Sequence, residues 1–156
     1  LGKHVMISDY GEFYRLAQYL SRYTRMPVGV ALGVPTLRQI FDEKYYDDLQ
    51  GGILESFGRL FRNDLRLFVC PALDDETGDL MTVHNLKIQK HLQHLYHHLL
   101  ENGFIKELDA VDKSQLEIFS HTVLEKIRTG DPDWERMVPD KVARIIRERR
   151  LFNCRG

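Results

Sequence analysis

Val28-Gly-Val-Ala-Leu32, followed at once by Gly33-Val-Pro-Thr36, reads as a strand delivered into a helix. A short uncharged run rich in aliphatic residues fits a strand covered on both faces. Pro35 suits the first turn of a helix, where its missing N–H would have no partner. Leu37, Ile40 and Phe41 then fall on one side of that helix. Working outward, Leu65-Arg-Leu-Phe-Val-Cys70 and Val5-Met-Ile7 repeat the strand signal, and Phe104-Ile-Lys-Glu-Leu108 repeats it with fewer apolar residues.

Helical patterns separate these runs. Tyr10, Phe13, Ala17 and Leu20 recur at helical spacing behind Ser8 or Asp9 as a cap. Ile53, Leu54, Phe57, Leu60 and Phe61 share one face behind Gly51-Gly52. Leu92, Leu95, Tyr96, Leu99 and Leu100 mark another helix, stopped by Asn102-Gly103. Asp74 to Asp79 form a polar turn leading to an extended piece around Leu80-Met-Thr82. From Leu116 onward the pattern is helical, interrupted at Gly130 and restarted by Pro132 and Pro139. Strands alternating with helices predict an α/β fold: a small, mostly parallel sheet of three to four strands flanked by helices, with a helical C-terminal portion. The expectation is a single domain spanning residues 1–156. Because the first residue is Leu1, the chain reads as part of a longer protein, a processed product or a trimmed one.

Composition narrows the classes. The 156 residues carry 22 Lys and Arg against 23 Asp and Glu, with 43% apolar residues and two Cys. That is too apolar and too balanced in charge for a disordered tail. It has too few cysteines for a disulfide scaffold. No apolar run reaches the roughly 18 residues of a membrane span, so no membrane association is expected; two cysteines far apart, with no CxxC pattern, point to reduced thiols in a cytoplasmic setting. Near-zero net charge argues against specific nucleic-acid binding. The segment from Pro139 to Gly156 has a local balance of +4 and reads as a solvated helix face. Cys70 is expected to be buried and Cys154 exposed. Trp134 is expected to anchor the short helix after Asp131-Pro132 against the body.

In open α/β sheets, ligands bind where strands end and helices begin. Three backbone donor sets fit that rule: Ser8 and Asp9 after the first strand, Gly33 and Thr36 after the second, and Gly51-Gly52 before a helix. Backbone N–H groups would hold an anion, Ser8 or Thr36 would add a hydroxyl, and Asp9 would orient a ligand hydroxyl. Arg15 or Arg38 would supply counter-charge. No GxGxxG, P-loop or GxSxG pattern is present. His91, His94, His97 and His98 lie on the helix side opposite the leucines, which predicts a solvated face and no metal site. Tyr45-Tyr46, set among charged residues, reads as a cover for a ligand or a partner surface.

Ile7-Ser-Asp-Tyr-Gly-Glu-Phe-Tyr14, Arg22-Tyr-Thr24, Gly51-Gly-Ile-Leu-Glu-Ser-Phe-Gly-Arg-Leu-Phe61 and Gly130-Asp-Pro-Asp-Trp-Glu-Arg-Met-Val-Pro-Asp140 resemble a group of longer bacterial proteins. These carry labels such as nicotinate-nucleotide adenylyltransferase or TonB-dependent receptor. The resemblance covers nearly the whole chain. A receptor of that kind is a β-barrel, and this chain lacks the many alternating strands. The adenylyltransferase label implies an α/β nucleotide-binding fold with a histidine-glycine-histidine loop near the first strand. Here His4 stands inside the expected strand and no such loop follows, so no catalytic residue is carried over. The expected function is an accessory domain that binds a small phosphate- or nucleotide-like anion or assists assembly of a larger protein or homo-oligomer, with no cofactor required. The alternatives are a nucleotidyltransferase making a pyridine dinucleotide from ATP and a mononucleotide with Mg2+, and a protein-interaction module.

Overall fold

The computed structural model describes residues 4–74, 77–108 and 115–154. They fall into two compact units, Met6–Val111 and Leu1–Val5 with Asp112–Gly156. The first is the α/β body. Its elements are α1 (Phe13–Leu20), β1 (Gly29–Gly33), α2 (Val34–Ile40), α3 (Gly52–Leu60), β2 (Arg66–Cys70), β3 (Ala72–Leu73), β4 (Leu80–Met81), α4 (Gln93–Glu101) and β5 (Ile105–Glu107). The strands β1, β2 and β5 form a parallel sheet in that order. Each crossover therefore returns the chain to the same end of the sheet through a helix. The short strands β3 and β4 pair antiparallel as a hairpin beyond β2.

The central strand explains the body's cohesion. Leu67 and Val69 are fully buried and alternate with half-buried Arg66, Phe68 and Cys70. Leu67 lies in register with both Val30 and Ile105, so one side chain bridges three strands. Burying a leucine of this kind contributes about 1.5–3 kcal/mol. Val34, Leu37 and Ile40 of α2 and Ile53, Phe57 and Leu60 of α3 join the same core. Phe41 makes edge contacts with Phe57 at 4.9 Å and Tyr96 at 5.2 Å, favourable ring geometry worth about 0.5–1.5 kcal/mol beyond area. The Tyr96 hydroxyl donates to the Val83 carbonyl (2.6 Å), and the Val83 N–H donates to the Glu107 carboxylate (3.0 Å), tying the end of β5 to the segment after β4.

Three expectations change. Val5–Ile7 forms no strand: His4–Gly11 has no regular structure, and Val5 and Ile7 are 86% and 97% exposed. Apolar residues favour a strand only when a neighbouring strand accepts them, and β1 is paired on its β2 side alone. Leu54, expected on the buried face of α3, is exposed, and Ser56 occupies the interior instead. Cys70 is half-buried, whereas Cys154 is buried.

The second unit contains α5 (Ser120–Thr129), a 3₁₀ turn (Pro132–Met137) and α6 (Asp140–Glu148). Gly130 closes α5 in a left-handed conformation, φ 81°, which costs glycine nothing sterically. Asp131 caps the next turn by accepting the Asp133 N–H (3.0 Å) and is held by Lys126. Trp134 packs with Val123, Ile127, Ala143, Ile146 and Cys154, so it holds this turn to the helices of its own unit. No helix among the described residues is long and apolar enough to cross a membrane.

Candidate functional site

The three donor sets lie on different features of the α/β body. Ser8 and Asp9 line a shallow hollow with Met6, Ile7, Tyr10, Arg15 and Tyr19. Both are exposed, and the Ser8 hydroxyl accepts the Tyr10 N–H at 3.1 Å. They do not follow a strand, so the topological reason for placing a ligand there is absent. Gly33 and Thr36 do sit at the carboxyl end of β1, where α2 begins. However, α2 is a helix of only seven residues.

Gly51 and Gly52 open α3, and their chemistry is already spoken for. The Gly51 N–H donates to Glu55 Oε2 at 2.9 Å, while the other Glu55 oxygen holds Arg59. An anion at this helix start would have to displace a resident carboxylate. Both glycines have steric reasons as well. A Cβ on Gly51 would lie 2.8 Å from the Glu55 Cβ, and Gly52 adopts φ +53°.

The strand order β1-β2-β5 advances in one direction. A sheet built this way has no reversal of order among its described strands, and hence no switch-point crevice of the kind doubly wound folds use. A cleft of about 400 Å³ forms instead where the β3–β4 hairpin and the segment after it meet α2. Its polar lining includes Arg38, Asp74, Thr77, Asp79, Asn85 and Lys87.

Local hydrogen bonds fix the frame of this cleft. The Asp74 carboxylate accepts the Thr77 N–H (3.1 Å), and the Asp74 N–H donates to the Asp79 carbonyl (2.9 Å). Gly78, at φ +72°, lets the turn close. Asn85 accepts the Thr82 N–H (2.7 Å) and donates to the Leu80 carbonyl (2.8 Å), stapling the far wall. Arg38 and Lys87 are exposed, and neither makes an ion pair among the described residues. Arg38 offers a planar fork that matches two oxygens of a phosphate or carboxylate; Lys87 offers a mobile point charge.

Sequence reasoning offered Arg15 or Arg38 as counter-charge for the three donor sets and marked Asp74–Asp79 as a polar turn. It missed Asn85 and Lys87. Nothing in local spacing pairs residue 87 with residue 38; only the hairpin brings them to one hollow.

A smaller hollow of about 110 Å³ lies among Gly11, Glu12, Gln39, Tyr45 and Tyr46. Tyr46 is buried and donates to the Ile40 carbonyl at 2.7 Å. Burial pushes its phenol up to about 12, with a hydrogen bond to the Ser56 hydroxyl pulling the other way. Tyr46 is therefore a core residue with a satisfied tip, and Tyr45 alone of the pair is exposed. The four histidines of the α4 region are all exposed. His91 meets Glu43 at 2.6 Å and His98 meets Asn102 at 3.2 Å. Among the described residues no group of three or more His, Cys, Asp or Glu is placed to hold a metal ion.

Comparison with family models, with curated proteins and with solved structures gives no match to this chain.

Proposed function

We propose that the α/β body is an accessory domain that binds a small phosphate- or nucleotide-like anion in the cleft between α2 and the β3–β4 hairpin. The observation that carries this reading is the pair of exposed cations, Arg38 and Lys87, which line one cleft together with Asp74 and Asp79 yet form no ion pair among the described residues. Arg38 takes two anion oxygens and Lys87 adds charge. The Asp79 carboxylate in the same lining favours a ligand that also carries hydroxyl or amine donors.

Calorimetric titration with inorganic phosphate, ATP and nicotinate mononucleotide tests the proposal. Binding that weakens about ten- to a hundred-fold in Arg38→Ala, the loss of one charge-assisted hydrogen bond of about 1.5–3 kcal/mol, supports it. Equal affinity in the native protein and in the Arg38→Ala/Lys87→Ala double variant, or no heat with any of the three, refutes it. Release of pyrophosphate from ATP, Mg2+ and the mononucleotide would replace a binding role by adenylyl transfer.

A further inference from the structure

The helical unit carries an apolar groove that its own side chains leave open. Val123, Leu124 and Ile127 of α5, Met137, Ile146 of α6 and Phe152 line it, and its volume is about 450 Å³. Ser120 is the one polar residue among those that form its walls. An exposed apolar surface bordered by charge marks a place where something binds.

The chain bends sharply after α6 to complete this groove. Arg150, Phe152 and Asn153 take positive φ angles of 49°, 58° and 64°. Asparagine tolerates that region, but for a bulky ring it is a rare conformation. Phe152 lines the groove and is still 55% exposed. Its burial in the free protein therefore does little to offset the strain. Strain of this kind is kept where the arrangement serves a ligand.

Charge adds the second half of the argument. Arg149 and Arg150 follow Ile146 by three and four residues, one turn further along the same side of α6, and precede Phe152. They thus stand between two residues that line the groove. Both are exposed, and neither makes an ion pair among the described residues. The acids nearby are engaged elsewhere: Glu148 meets Arg144 at 3.9 Å and Glu135 meets Arg147 at 3.4 Å. The groove's volume lies within the range of small-molecule pockets, about 300–1,000 Å³. Its nine lining residues fall short of the roughly 20–30 a side that a stable protein interface uses.

We infer that this groove binds a small anionic amphiphile, a long-chain monocarboxylate. Its acyl tail lies along Val123, Ile127, Ile146 and Phe152, and its carboxylate meets Arg149 and Arg150. The guanidinium fork matches two carboxylate oxygens, and the tail removes an exposed phenylalanine ring from water.

Titration of the whole chain with dodecanoate and with dodecylammonium, both kept below micelle formation, tests this. Trp134 emission and calorimetry report binding; Trp134 is the chain's one tryptophan and packs with the lining residues Val123, Ile127 and Ile146. Dodecanoate should bind saturably, and dodecylammonium at least about tenfold more weakly. Arg149→Gln/Arg150→Gln should weaken dodecanoate by at least about tenfold. Phe152→Gly relieves the positive φ, so the unit stays folded while dodecanoate affinity falls by about tenfold; a ring with a purely structural role would move stability and leave affinity alone. No saturable dodecanoate binding overturns the inference. So does equal affinity for the two head groups, or equal affinity in the native protein and the double arginine variant. Tighter binding to phosphatidylglycerol vesicles than to monomeric dodecanoate would make this face a membrane contact and overturns it too.

Discussion

Two hollows of similar size illustrate how differently the two units treat their surfaces. The cleft of the α/β body, about 400 Å³, is lined by Arg38, Asp74, Asp79, Asn85 and Lys87 among others. A groove of about 450 Å³ in the helical unit is lined by Ile118, Val123, Ile127, Met137, Ile146 and Phe152 among others. The contrast follows from architecture. A sheet edge ends in turns, and turns are built from residues whose side chains bond to backbone, as Asp74, Thr77 and Asn85 do here. A pair of packed helices instead leaves the flanks of its apolar stripes uncovered. The polar hollow is therefore lined by charged groups, and the apolar one by side chains that a small core leaves uncovered. The two cores differ in the same way: one is assembled by strands far apart in sequence, the other by neighbouring helices around one tryptophan.

The largest expected effect probes that small core. Trp134→Ala should lower the stability of the helical unit by about 3–5 kcal/mol, read as lost amide protection at Val123 and Ile127. A loss below about 1 kcal/mol would mean that Trp134 is peripheral. In the body, Leu67→Ala should cost about 2–5 kcal/mol. It should release protection in β1 and β5 together, because Leu67 bridges both; release in one strand alone would break the three-strand account.

A smaller effect concerns alkaline pH. Burial raises the Tyr46 phenol to about 12, and it raises Tyr96 in the same direction, helped by the charge of Glu107. An unfolded tyrosine titrates near 10, so between about pH 10 and 12 the unfolded chain releases a proton that the native state keeps. The Tyr46 contribution is complete below about pH 10 and is lost as pH rises through 12, by up to roughly 2–3 kcal/mol. Urea midpoints across that window should fall, and fall less steeply in Tyr46→Phe. The smallest effect separates scaffold from site. Gly52→Ala should cost about 1 kcal/mol because of its positive φ, whereas Ser8→Ala, at an exposed loop position, should stay within about 0.5 kcal/mol.

How legible this was in the sequence varies with the range of the interaction. Leu65–Cys70 and Val28–Leu32 were readable because a short uncharged run between helices has few other destinations. The heptad-like spacing of Ile53, Phe57 and Leu60 placed α3, although the same spacing put Leu54 on the wrong side, since Ser56 satisfies the interior in its place. Val5–Ile7 carries the composition of a strand without its pairing. Cys154 looked exposed by its closeness to the end of the sequence, yet it packs against the Trp134 cluster. The cleft was the least legible feature. Its polar walls come from a hairpin and a helix whose approach depends on tertiary packing, so Lys87 gave no local signal. The Gly51-Gly52 pair gave a false one, because Glu55 and the positive φ of Gly52 account for both glycines.

Backbone amide mapping during a titration with ATP and inorganic phosphate tests the anion-cleft proposal most directly. The account predicts shifts confined to Arg38, Thr77–Asp79 and Asn85–Lys87, weakened in Arg38→Ala. Shifts centred on Ser8–Asp9 or Gly51–Gly52, or none at either ligand's saturating concentration, would contradict it.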